Sequence, residues 1–98
     1  MNTTTFDARI RKANINKGSI GYKMAVQLCT NDVPVRPCYT SGRGRFTSNQ
    51  DHTEALIITL KVVGVSYKIE NNALRGSATG NVFSLTAKGR AVTKGMRD

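Results

Sequence analysis

Residues 52–63, HTEALIITLKVV, decide what this chain folds into, because the run fits two periods at once. Leu56, Ile57, Leu60 and Val63 form a helical stripe, while Leu56, Ile58, Leu60 and Val62 form one face of a strand. The β-branched interior favours the strand. The ends favour the helix. Asp51 followed by Glu54 resembles a capping box with Asp in place of Ser or Thr. Both acids also suit the positive end of a helix dipole. Gly64 stands where a terminal glycine would stop a helix. The ends carry signals that a strand does not need, so the segment is read as a helix. As a strand it would give a small all-β barrel or sandwich instead.

The flanks then set the fold class. Residues 20–28 alternate Ile20, Tyr22, Met24, Val26 and Leu28 with Gly21, Lys23, Ala25 and Gln27, which predicts a strand with one buried face. Asn31, Asp32 and Pro34 mark a turn. Residues 35–40 pair back as a second strand, and Pro37, lacking a donor, makes it an edge or a bulge. After Gly64, residues 65–70 alternate with Val65, Tyr67 and Ile69 inward. Residues 71–80 are rich in turn formers, and residues 81–87 place Phe83, Leu85 and Ala87 on one face of a last strand. The expectation is an α+β domain of order β-β-α-β-β, a small antiparallel sheet with one packed helix. Residues 6–15 add a short N-terminal helix or an ordered arm, with Phe6 and Ile10 on one face. The 98 residues suffice for a single domain, 1–98, with polar, flexible ends at 1–5 and 92–98.

Charge bears on function. Fifteen Lys and Arg face six Asp and Glu, a net charge of +9. Such a field attracts polyanions. The stretches 8–31, 33–50 and 71–97 contain no acid, whereas Asp51, Glu54 and Glu70 fall in the segment between. The excess positive charge therefore lies outside the middle of the chain.

Three constellations could meet a polyanion. The first is residues 39–46, YTSGRGRF, in which Arg43 and Arg45 alternate with glycine between Tyr39 and Phe46. Glycine lets a backbone approach a phosphate, arginine forks onto phosphate or guanine, and the aromatics stack on unpaired bases. The alternative is a solvated hairpin tip with Tyr39 and Phe46 in the core. The second is Arg75 in the 71–80 loop, followed by Lys88 and Arg90. The third is Arg9, Arg11 and Lys12, read equally well as a phosphate-tracking arm or as a charged helix face. Leu85, Thr86, Lys88, Gly89 and Arg90 spell L-T-x-K-G-R, which resembles the end of the wing in winged-helix regulators. That resemblance implies a helix-turn-helix ahead of the hairpin.

Other chemistry has little footing. His52 is the sole histidine and falls at a helix start. No P-loop string is present, and the acids are too scattered for a two-metal site. Cys29 and Cys38 have no zinc-finger spacing and read as reduced, buried thiols. No cofactor or metal is expected, and no enzyme. No window is apolar enough to span a membrane and residues 1–12 hold no secretory signal, which points to the cytoplasm, or the host cytoplasm for a phage-encoded chain. The expected function is a small basic nucleic-acid-binding protein, for DNA or RNA, as monomer or homodimer. Two rivals stand beside it. One is a non-enzymatic effector or inhibitor of the phage or mobile-element type, docking on an acidic surface of a larger enzyme. The other is a ribosome-associated protein.

Overall fold

The computed structural model describes residues 1–37, 52–73 and 79–97, with residues 71–73 and 79–81 described by backbone alone. The order is α1 (Thr3–Lys12), α2 (Ile20–Asn31), α3 (Thr53–Val63), β1 (Tyr67–Ala73), β2 (Thr79–Leu85), α4 (Ala87–Val92) and a 3-10 turn at Lys94–Met96. The class is α+β with a small antiparallel sheet, as expected. The internal order is not β-β-α-β-β: helices occupy the first half of the described chain, and the sheet follows them.

α3 is the helix that its ends predict. Leu56, Thr59, Leu60 and Val63 form its buried stripe. Gly64 ends it in the left-handed conformation at φ 75°, its N–H turned to the carbonyls of Leu60 and Lys61. A side chain is disfavoured in that conformation. At the other end His52 holds the cap position without a side-chain capping bond. Asp51 lies outside the described residues, and Glu54 stands in the first turn, where the dipole favours it.

The strand expected at 20–28 is a helix. Its buried residues are Gly21, Met24, Ala25, Leu28 and Cys29, a helical repeat hidden beneath the alternation. Gly21 and Ala25 read as spacers on a wet strand face. They are instead the small residues that let α2 approach α3. A Cβ at Gly21 would come 2.7 Å from both the Ala55 carbonyl oxygen and Thr59 Oγ1. Ser19 caps the helix by accepting from the Tyr22 N–H at 3.2 Å. Asp32 closes it in the left-handed conformation at φ 52°.

Of the strand expected at 35–40, Val35 forms a bridge to Phe83, with hydrogen bonds of 3.0 and 2.9 Å. Pro37 is buried and its carbonyl accepts from the His52 N–H at 3.3 Å, so the chain leaves and returns at one place. Residues 38–40 lie outside the described residues. The hairpin runs in register from Tyr67↔Leu85 to Ala73↔Thr79. Its strands thus extend into the segment expected to be loop, and residues 74–78 lie outside the described residues. Val65, Phe83 and Leu85 are buried as expected. Ile69 is not: it pairs with Phe83 yet is 40% exposed. Phe83 has Val35 on its far side, whereas β1 is the outer strand, so Ile69 lies at the rim of the core.

Ala87 does not end the strand. Thr86 accepts from the Gly89 N–H at 3.0 Å and starts α4. A Cβ on Gly89 would overlap the Ser66 carbonyl oxygen, so α4 presses against the entry to β1. The polar ends carry helix and meet each other. Asn2 caps α1, and the Met1 ammonium donates to the Val92 carbonyl at 2.6 Å. The hairpin follows a helix, as the winged-helix resemblance implies. However, residues 13–19 separate α1 from α2 and residues 32–52 separate α2 from α3, so no short-turn helix pair precedes it among the described residues.

Phe6, Met24, Leu28, Leu56, Leu60 and Phe83 are fully buried in one cluster that joins α1, α2, α3 and the sheet. Replacing Gly21 with alanine would force α2 off α3. The expected loss is about 2 kcal/mol of stability, read as a lower urea midpoint with an unchanged m value.

Candidate nucleic-acid interface

The described aspartates are both engaged inside the molecule. Asp7 accepts from the Tyr22 hydroxyl at 2.9 Å and from Lys17 Nζ at 3.2 Å, tying α1 to α2. Asp32 accepts from Arg90 Nε at 2.8 Å, tying the end of α2 to α4. Tyr22 is held above its ordinary pKa by burial and by its bond to the Asp7 carboxylate. Glu54 and Glu70 remain exposed.

Three arginines are also structural. Arg9 Nη1 donates to the Val63 carbonyl at 2.8 Å, satisfying an orphan group at the end of α3. Arg97, read as part of a polar tail, donates to the carbonyls of Cys29 and Arg90 and to Thr93 Oγ1, each within 2.9 Å. Arg90 pairs with Asp32. The K-G-R string therefore has a packing role on α4: Gly89 for contact with Ser66, and Arg90 for the bridge to α2. It does not lie on the hairpin.

The expected site residues divide accordingly. Tyr39, Arg43, Arg45, Phe46 and Arg75 lie outside the described residues. Arg9 is exposed but fixed by Val63. Lys12 lines a groove of about 310 Å³ with Arg9, Ala13 and Val62. Arg11 is exposed beside a second groove of about 280 Å³ lined also by Asp7, Ile10, Ile15 and Lys17. Lys88 is exposed in the first turn of α4. The structure adds Lys61, in the last turn of α3, and Lys68 on β1, both exposed. Sequence reading passed over them because acids share their stretch of chain. Exposure, not local charge balance, singles them out.

The described aromatics pack on one another. Phe6 meets Tyr22 edge to face at 6.1 Å between centroids, and Tyr67 stacks on Phe83 at 5.4 Å. Among the described residues no three of His, Cys, Asp or Glu converge, and no helix is long and apolar enough to cross a membrane. Cys29 is buried, and burial pushes its thiol up to about 12 despite the nearby Arg97 charge.

A thiol that ionises later in the folded than in the unfolded chain stabilises the fold fully below the unfolded pKa and loses that contribution as pH rises through the folded one. Stability is therefore expected to fall between about pH 9 and about pH 12, followed by thermal unfolding, and Cys29→Ala should flatten that decline. No protein-family model, no curated protein and no solved structure matches the chain.

Proposed function

We infer that this chain is a nucleic-acid-binding module whose contacts are mainly electrostatic. The observation that carries the reading is the division of charge. Asp7 and Asp32 are engaged by partners within the molecule, while Arg11, Lys12, Lys61, Lys68, Lys88 and Lys94 face solvent. A net charge of +9 is thus expressed outward, where phosphates can neutralise it and release their counterions. Arg43, Arg45 and Arg75 belong to the same net charge, and Tyr39 and Phe46 flank the first two in sequence as aromatics suited to unpaired bases.

The test is a salt titration of binding to labelled single-stranded DNA, duplex DNA and RNA, by fluorescence anisotropy. Wild type is expected to bind with affinity that falls steeply with salt, by about 0.9 in log–log slope per phosphate contacted on duplex DNA. The double change Arg43→Ala, Arg45→Ala should lower that slope by about 2. Absence of salt-dependent binding to all three probes would sink the reading. It would turn attention to an acidic protein surface, for which exposed Ile58 and Ile69 are available anchors.

A further inference from the structure

We propose that the corner between α3 and β1, residues 63–66, is the centre of one basic surface that seats a phosphodiester backbone. The inference rests on the nucleic-acid reading above and assigns it a place in the fold.

The corner gathers cations from four elements. On one side, Arg9 of α1 is bonded to the Val63 carbonyl at 2.8 Å, and its guanidinium lies beside the bare backbone of Gly64. Lys12 and Val62 line the same groove as Arg9, and Lys61 precedes Val62 in the last turn of α3. On the other side, the Thr86 hydroxyl bonds Ser66 Oγ at 2.8 Å, and Gly89 packs on the Ser66 carbonyl. Lys68 and Lys88 each stand two residues beyond that bond, one on β1 and one on α4. Arg9, Lys12, Lys61, Lys68 and Lys88 are exposed cations on the elements that meet at this corner, the complement of a duplex that carries one negative charge per about 1.7 Å. Glu70, farther along β1, bounds the surface on the hairpin side.

The geometry also selects the kind of contact. Phe6, Tyr22, Tyr67 and Phe83 pack on one another, so among the described residues this surface offers cations for phosphates and no aromatic platform for unpaired bases. Binding here is accordingly indifferent to sequence and at least as strong to duplex as to single strand.

Matched charge reversals test the placement. Lys88→Glu and Lys68→Glu alter the proposed surface. Lys23→Glu makes the same change of charge in the first turn of α2, near the opposite end of α3, where Gly21 meets Ala55. All three positions are exposed, and both helical ones are in first turns, where a glutamate is tolerated. Unchanged thermal midpoints would confirm folding of each variant. With a 20-base-pair duplex at near-physiological salt, Lys88→Glu and Lys68→Glu are each expected to weaken binding about tenfold and to lower the salt slope by about 1. Lys23→Glu should stay within about twofold, since exposed charges beyond about 8 Å are screened. Equal losses in all three would overturn the corner as the site while leaving the nucleic-acid reading intact. Tighter binding to a 20-nucleotide single strand than to the duplex would overturn the backbone contact. No binding by wild type would overturn both this proposal and the reading on which it rests.

Discussion

The close approach of α2 to α3 at Gly21 is the contact on which the rest of the molecule depends. With no Cβ at that position, the Ala55 carbonyl and the Thr59 hydroxyl can sit against the α2 backbone. Met24 and Leu28 then reach the stripe of Leu56, Leu60 and Val63. Once α3 is fixed, Gly64 turns the chain into β1, and Phe83 of the paired strand closes the core from below. Helix α4 follows from a second close approach, Gly89 on Ser66. Two glycines, each missing a side chain where another element passes, thus determine how the layers stack. Removing volume in this way lets interior packing reach the density that stabilises a small domain.

Three arginines and four lysines among the described residues take different parts. Arg9, Arg90 and Arg97 bridge elements by donating to carbonyls and a carboxylate. The planar fork suits that work because one side chain can satisfy several acceptors in fixed directions. Lys12, Lys61, Lys68 and Lys88 project as exposed ammonium groups. Their strong hydration keeps them at the surface, available to any anion that arrives. A count of positive charge does not separate these two populations. The arginines most readily singled out in the K-G-R string and the N-terminal cluster include two that the fold itself employs, Arg90 and Arg9.

Parts of the fold were legible and parts were not, for identifiable reasons. The helix at 53–63 was legible because its signals are local: an acid in the first turn and a glycine after the last. The hairpin strands were legible because Phe83 and Leu85 alternate cleanly. α2 was misread because its large apolar residues alternate by coincidence, while the stripe that packs includes Gly21, Ala25 and Cys29. Hydrophobicity scoring gives little weight to small residues, yet at a close helix contact they are the ones buried. α4 carries weak signals of its own because its sequence, AKGRAV, has no apolar stripe; Thr86 caps it and Ser66 receives it. Of the candidate site, the predominance of cations was legible, but Lys61 and Lys68 were hidden by acids near them in sequence.

By itself the sequence determined the α+β class, the central helix and its stop, the hairpin, and a net charge that favours anionic partners. Those properties are local or additive: capping, periodicity and a sum of charges need no knowledge of distant contacts. The tertiary structure decided that residues 20–31 are helical and which cations are spent on carbonyls and carboxylates. These depend on pairs far apart in the chain, such as Arg9 with Val63 and Asp32 with Arg90, and such pairs exist only after the core has closed.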